Sequence, residues 1–170
     1  SKNEVTMDND AYQTVTDPSV YVKFKLKSDK PKKVLLGKDP KILFVCYSNV
    51  GRSQFAEAFY NNYTDGRPAV SAGVNPDGRW NEAPTLLEFE NNILPKINPS
   101  SVLSTVTMKE VGIDISTHRR KYLTEKELKG YDLVVNIAEK SQTPGWLRAQ
   151  NVVWWNVNDP HGDSWEKNRK

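Results

Sequence analysis

Four short apolar runs in the chain predict the strands of a parallel β-sheet. They lie at residues 42–45, 69–72, 133–137 and 152–155. The first and third runs are apolar at nearly every position instead of alternating, which is typical of parallel strands covered on both faces. Amphipathic segments of helical periodicity separate the runs. The pattern therefore predicts an α/β fold, with a doubly wound, four-stranded parallel sheet and helices on both of its faces.

The segments between these runs carry start and stop signals of helices. Ser53 is suited to cap the helix that follows the first strand. Residues 84–111 predict a helix in two pieces, which is broken by its prolines and closed by Gly112. Thr124 and Glu127 have the spacing of a capping box, which predicts a short helix before the third strand.

A different pattern occupies the N-terminal part of the chain. Residues 1–19 are polar, and residues 20–27 alternate apolar side chains with lysines, which predicts a half-buried strand at the edge of the sheet. A linker rich in lysine and proline follows. We therefore divide the chain into an N-terminal extension, residues 1–40, and an α/β domain, residues 41–170. The lysines of the extension form either a solvated strand face or a surface for an anionic partner.

The composition limits the chemistry of the protein. The 170 residues carry a formal charge of +3, which suits an anionic substrate without indicating nucleic acid. A single cysteine excludes an internal disulfide, and with only two histidines we expect no metal or cofactor. No apolar run approaches the ~18 residues of a membrane span, and the polar N-terminal residues do not resemble a signal peptide. We therefore expect a cytoplasmic protein without a membrane partner.

The segment that joins the first strand to the first helix carries the candidate chemistry. It begins at Cys46, and the residues expected to surround a bound anion are Tyr47, Ser48, Asn49, Val50, Gly51, Arg52 and Ser53. Between a strand and a helix, the backbone N–H groups and the helix N-terminus favour a phosphate or similar oxyanion. Arg52 is placed to donate two hydrogen bonds, and Cys46 is placed where the nucleophilic thiolate is favoured. The alternative is an inert core cysteine at the end of a strand.

The segment at residues 41–60 resembles the signature of the low-molecular-weight protein-tyrosine-phosphatase family, which also holds the thioredoxin-type arsenate reductases. It reads KILFVCYSNVGRSQFAEAFY. The resemblance covers residues 41–163 with a gap at residues 86–103, which we interpret as an insertion. It continues in Ser71–Gly73, Met108–Ser116 with His118 and Arg119, Tyr131–Glu139, and the pair Asp159 and Pro160. Residues 41–170 are therefore expected to form the catalytic domain.

The resemblance implies roles that the residues alone do not reveal. Cys46 would be the nucleophile, and Arg52 would bind the phosphoryl oxygens. Asp159 would protonate the leaving group and then accept a proton from water. Asn49 would hold an unusual backbone conformation that shapes the loop. The residues implied to support the loop are Asn49, Ser71 and His118. Independently of the resemblance, Ser53 is a supporting residue, because its hydroxyl is placed to donate a hydrogen bond to the Cys46 thiolate or to help it leave.

Some positions depart from the family pattern. Gly51 stands where many of these phosphatases have a second loop cysteine. Residues 136–139 lack the cysteines through which the thioredoxin-coupled arsenate reductases pass electrons. A histidine and a glycine follow the Asp-Pro pair, where tyrosine phosphatases often have aromatic residues. Tyr47 and Trp80 are alternative candidates for an aromatic wall, although most aromatic side chains belong to a core.

Three functions are open from the sequence. The first is hydrolysis of a phosphorylated substrate, phosphotyrosine or a small phosphomonoester, through a phosphocysteine at Cys46. The second is arsenate reduction with an external small thiol, because arsenate has the shape and charge of phosphate. His118 favours the phosphatase, since the resemblance gives the arsenate reductases a different residue there. The third is a non-catalytic module that binds an oxyanion or a protein.

Overall fold

The computed structural model describes residues 40–64, 69–76, 83–148, 150, 152–157 and 159. Several predictions of the sequence lie outside these residues. They are the strand at residues 20–27 with the rest of the N-terminal extension before residue 40, the wall residue Trp80, and the segment that begins at Pro160.

The described residues contain a four-stranded sheet in which every pair of neighbours is parallel. Its strands are β1 (Ile42–Cys46), β2 (Ala69–Gly73), β3 (Leu133–Asn136) and β4 (Val153–Trp154). Their order is β2-β1-β3-β4, so β1 is central and pairs with β2 and β3. This architecture confirms the predicted α/β fold, and it places the carboxyl ends of β1 and β3 next to each other.

The two faces of β1 enter two separate hydrophobic cores. Leu43 and Val45 belong to one cluster, which includes leucines from the segment between residues 123 and 147. Ile42 and Phe44 belong to the other, against which Tyr60 of the first helix packs. The alternation follows from the period of two along a strand. The central strand is thus covered on both faces, as its continuous apolar sequence predicted.

The helices follow the predicted signals, with one difference in number. They are α1 (Arg52–Tyr63), α2 (Leu86–Asn92), α3 (Leu94–Ile97), α4 (Ser104–Glu110), α5 (Glu125–Leu128) and α6 (Gly145–Arg148). The region predicted as two helical pieces forms three, because Pro95 lies in the first turn of α3, where a missing N–H is tolerated. The capping box of Thr124 and Glu127 is confirmed.

Among the described residues, no helix has the length and apolar character that a membrane crossing requires. The same residues contain no cluster of three or more histidine, cysteine or acidic side chains arranged to hold a metal ion.

Candidate active site

The loop between β1 and α1 exposes a series of backbone donors at the carboxyl edge of the sheet. It runs from Cys46, the last residue of β1, to Arg52, the first residue of α1. Among the described residues, the N–H groups of Ser48, Val50 and Gly51 have no hydrogen-bond acceptor. The first N–H groups of a helix also lack intrahelical acceptors. The loop and the start of α1 together are therefore a cradle of donors for an anion.

The sulfur of Cys46 lies among polar groups of this loop. The residue is only 3% exposed. Its Sγ lies 2.9 Å from Ser53 Oγ and accepts a hydrogen bond from the backbone N–H of Asn49 at 3.3 Å. Hydrogen-bond donors around a sulfur stabilise its anionic form. This contact between Ser53 and the sulfur is the one expected from the sequence. The helix cap predicted for Ser53 is wrong, because α1 begins at Arg52 with Gly51 at its N-cap and has no side-chain cap.

Asn49 shapes the loop through its backbone and its side chain. Its φ of 50° lies in the left-handed region, the unusual conformation that the resemblance implied. Its side-chain amide donates to Ser53 Oγ at 2.9 Å and to Ser71 Oγ at 2.8 Å. Its Oδ1 accepts from the backbone N–H of Lys121 at 2.8 Å. This fully buried side chain thereby connects the loop to α1, to β2 and to the segment before α5.

Gln54 completes the support behind the loop, and the sequence analysis missed it. Its Nε2 lies 3.2 Å from both oxygens of Asn49 and 3.1 Å from the carbonyl oxygen of Arg119. Its Oε1 lies 2.9 Å from His118 Nδ1. His118, expected behind the loop, therefore reaches the loop through Gln54. Burial lowers the pKa of His118 more than the charge of Glu57 raises it, so the neutral ring is favoured.

Arg52 lies opposite this neutral network, in a cluster of acceptors. Its Nη1 donates to Glu139 Oε1 at 2.7 Å, and its Nη2 to Glu139 Oε2 at 3.1 Å and Asp159 Oδ2 at 2.7 Å. Nη1 also lies 3.1 Å from the carbonyl oxygens of Ile137 and Val157. Both Nη atoms thus point at protein acceptors, whereas Nε–H has none among the described residues. Burial alone would lower the pKa of Arg52, but these carboxylates outweigh it and raise the pKa.

Glu139 accepts hydrogen bonds from two candidate catalytic residues, Arg52 and Asp159. The sequence analysis did not identify Glu139 as a site residue. Burial opposes its ionisation, but the hydrogen bond from Arg52 and that from the backbone N–H of Asp159 lower its pKa overall. Glu139 therefore stays ionised beside Arg52 and Asp159. One signal was present in the sequence. Glu139 follows β3, and the carboxyl ends of neighbouring parallel strands are where polar groups of a site converge.

The remaining loop residues contact their surroundings in different ways. Tyr47 is half-buried and packs against the cluster that contains Leu43 and Val45. The carbonyl oxygen of Ser48 accepts from Arg120 Nε at 3.1 Å. Val50 packs against the cluster formed by α1, α2 and α4. A Cβ added at Gly51 would lie 3.6 Å from Ser104 Oγ, an ordinary contact, so the space does not require glycine there.

Curated proteins of known sequence resemble the chain over most of its length. An arsenate reductase of Brevibacillus brevis is 32% identical over 127 residues, which are 73% of this chain and 79% of that protein. An arsenate reductase of Staphylococcus aureus is 30% identical over 129 residues, which are 74% of this chain and 82% of that protein. The chain belongs to the low-molecular-weight protein-tyrosine-phosphatase family. This family of enzymes includes arsenate reductases as well as phosphatases.

Two further comparisons refine this assignment. A glutaredoxin arsenate reductase of Synechocystis is 28% identical over 129 residues, which are 74% of this chain and 82% of that protein. The structure of Wzb from Vibrio vulnificus, solved in complex with benzylphosphonate, superposes with a TM-score of 0.53. It is 20% identical and covers 77% of this chain and 87% of that chain. The similarity to Wzb therefore supports the low-molecular-weight phosphatase fold. In a separate comparison, no family model matches the chain.

Proposed function

We propose that the protein hydrolyses phosphomonoesters, with aryl phosphates such as phosphotyrosine as its substrates, through a phosphocysteine at Cys46. One observation supports this more than any other. The N–H groups of Ser48, Val50 and Gly51 have no acceptor among the described residues, and the Cys46 sulfur lies at the start of the same loop between Ser53 Oγ and the Asn49 N–H. A tetrahedral anion held by those donors lies in reach of the nucleophile.

The first chemical step transfers the phosphoryl group to the protein. The Cys46 thiolate attacks phosphorus, the P–O bond to the leaving group breaks, and Asp159 in its protonated form gives its proton to the departing oxygen. The loop amides and Arg52 stabilise the charge on the equatorial oxygens, as preorganised donors do in other phosphoryl-transfer sites. Arg52 has its Nε–H for this task, and its neighbouring carboxylates raise its pKa, so the guanidinium stays charged.

The second step regenerates the enzyme. Water attacks the phosphorus of phosphocysteine, the P–S bond breaks, and the Asp159 carboxylate accepts the proton of the water. The products are inorganic phosphate and the Cys46 thiolate, which Ser53 Oγ, 2.9 Å from the sulfur, stabilises as a leaving group. In the structure Asp159 pairs with Arg52. The two steps therefore require Asp159 to exchange that contact for the leaving group and then for water.

Two substitutions test this proposal. Cys46→Ser should abolish turnover of 4-nitrophenyl phosphate, because a serine hydroxyl is a much weaker nucleophile than a thiolate. Asp159→Asn should slow phenyl phosphate far more than 4-nitrophenyl phosphate, because only the poorer leaving group depends strongly on a proton. Steady-state rates with the two esters measure both effects. Undiminished turnover by Cys46→Ser, or an equal effect of Asp159→Asn on both esters, would contradict the proposal.

A second candidate is reduction of arsenate by an external thiol, and the names of the relatives favour it. The thiolate of Cys46 would displace water from arsenate and form an S–As bond. Because the chain has one cysteine, no second protein thiol is available to break it. An external thiol would attack the Cys46 sulfur, giving a mixed disulfide and releasing arsenite, in which arsenic is reduced by two electrons. A second external thiol would then free Cys46 as its own disulfide forms.

Parallel assays decide between the candidates. Hydrolysis of aryl phosphates without any added thiol supports the phosphatase. Production of arsenite that requires glutathione, or glutaredoxin with glutathione, supports the reductase. Both reactions should disappear in Cys46→Ser, whereas Asp159→Asn should affect mainly the hydrolysis, since arsenate loses water and not an alkoxide.

A further inference from the structure

The peptide unit between Ser48 and Asn49 is hydrogen-bonded at both of its ends. Its N–H, which belongs to Asn49, donates to Cys46 Sγ at 3.3 Å. Its carbonyl oxygen, which belongs to Ser48, accepts from Arg120 Nε at 3.1 Å. In a trans peptide the N–H and the C=O point in opposite directions. One peptide unit therefore lies between a cation and the sulfur of the candidate nucleophile.

Two further contacts hold the guanidinium of Arg120 at this carbonyl oxygen. Its Cζ lies 3.9 Å from the centre of the Phe89 ring, a cation–π contact, and this ring is almost fully buried in α2. The next residue, Lys121, donates its backbone N–H to Asn49 Oδ1, which fixes the segment against the loop. Arg120 is half-buried, so water screens its charge less than that of an exposed side chain.

We infer that Arg120 is a positioning residue that stabilises the Cys46 thiolate through this peptide unit. A cation at the carbonyl oxygen draws electron density from the amide, and hydrogen bonds in series strengthen one another. The Asn49 N–H thereby becomes a stronger donor, which favours the ionised sulfur over the neutral thiol. Arg120 also keeps the peptide oriented with its N–H, and not its carbonyl oxygen, towards the sulfur. The inference rests on the proposed function, because it concerns the nucleophile of that reaction.

Other charged groups near the sulfur do not act through this peptide unit. Arg52 attracts the Cys46 thiolate directly, and Arg52 is itself paired with Glu139 and Asp159. His118 Nδ1 bonds a glutamine of the support behind the loop, so its ring does not contact the sulfur. A change confined to the carbonyl side of the peptide therefore leaves these groups in place.

Alkylation by iodoacetamide measures the thiolate without any turnover of a phosphate ester. The thiolate and not the thiol displaces iodide, so the rate follows the ionised fraction. Cys46 is the only cysteine of the chain, and the reaction therefore reports a single site. Near pH ~9.5 even an ordinary thiol is mostly ionised. The ratio of the rate at that pH to the rate at pH ~6 separates ionisation from access, since a change of access alters both rates alike.

Arg120→Met keeps an apolar contact with Phe89 and removes the charged donor. It should raise the ratio about three- to tenfold, because less thiolate remains at the lower pH. Arg120→Gln also removes the charge and should raise the ratio, which gives a second test where methionine prevents folding. Arg119→Met is the matched control, since it removes the same charge from an exposed neighbouring side chain and keeps the backbone carbonyl that Gln54 bonds. Its ratio should stay within about twofold of the wild type.

The outcomes separate this inference from the proposed function. Near-UV circular dichroism identifies the variants that fold, and only those are compared. An unchanged ratio in a folded Arg120 variant, or an equal increase in Arg119→Met, would overturn the role of Arg120. A raised ratio that is confined to Arg120, in a protein that hydrolyses no aryl phosphate, would support this role and contradict the phosphatase. An unchanged ratio in a protein that does hydrolyse them would do the reverse.

Discussion

The two sides of the anion loop are built from different kinds of interaction. Behind it, the buried and neutral side chains of Asn49, Ser53, Gln54 and Ser71 are connected by hydrogen bonds. In front of it, Arg52 is paired with two carboxylates whose side chains are 37% and 28% exposed, those of Glu139 and Asp159 respectively. One side contains no ionised partner, whereas the other pairs a buried cation with two carboxylates that reach water.

This difference indicates a division of tasks. Buried neutral networks in which each group has a partner fix one geometry, because breaking any bond leaves a polar group unsatisfied. Carboxylates that reach water are solvated when they leave an ion pair, which lowers the cost of exchanging their partner. The neutral side is therefore suited to hold the loop shape during turnover. The charged side is suited to exchange its internal contacts for an anion.

The largest effect should follow from changing the charged side. Arg52→Lys keeps the positive charge but loses the planar fork that reaches Glu139, Asp159 and an anion together. We expect kcat/KM for an aryl phosphate to fall about 10²–10³-fold, the size seen when one preorganised donor is removed. Arg148→Lys, at an exposed position of α6, is the control and should have no effect. A decrease of less than tenfold at Arg52 would contradict its assigned task.

Changing the neutral side should mainly affect stability. Asn49→Ala removes the side-chain bonds to Ser53, Ser71 and Lys121 and leaves an alanine at positive φ. We expect a loss of about 2–4 kcal/mol in the free energy of unfolding, measured in urea. Asn49→Gly should be about 1 kcal/mol less damaging, because glycine tolerates this φ.

Asn92→Ala on the exposed end of α2 provides the reference and should change the stability by less than about 0.5 kcal/mol. If both variants at Asn49 resembled this reference, the neutral network would not hold the loop. If alanine and glycine were equally damaging, the strain of the left-handed backbone would play no part.

The sequence predicted the site residues that lie close together along the chain. Cys46 and Arg52 lie in one loop six residues apart, so the strand–loop–helix pattern alone brought them together. Ser71 came only from the family resemblance, since 22 residues separate it from Asn49. Glu139 was missed, because its partner Arg52 is 87 residues away and no local pattern marks it. Long-range hydrogen bonds of this kind depend on the register of β1 and β3, which the sequence does not specify.

The error at Ser53 has a different physical origin. A serine at the N-cap of a helix accepts a hydrogen bond from a backbone N–H of the first turn. However, α1 begins at Arg52, so Ser53 lies within the helix and not at its N-cap. Here Ser53 Oγ bonds the Cys46 sulfur and the Asn49 amide instead. No side-chain cap accepts from the first N–H groups of α1. These N–H groups can therefore donate to a bound anion. A departure from the common cap is thus consistent with the proposed site.

The smallest expected effect concerns pH and the neutral side. Burial lowers the pKa of His118 below its ordinary value of 6.5, so the unfolded chain takes up this proton at a higher pH than the folded protein. The protein should therefore lose stability as the pH falls through about 6.5. His118→Gln keeps a hydrogen-bonding group for Gln54 and should remove this component, which we expect to be below about 1 kcal/mol because the ring is partly exposed. Urea unfolding of both proteins from pH 5 to pH 8 measures the difference in slope. Every other titratable group is present in both proteins, so parallel curves would mean that the neutral network does not favour an uncharged His118.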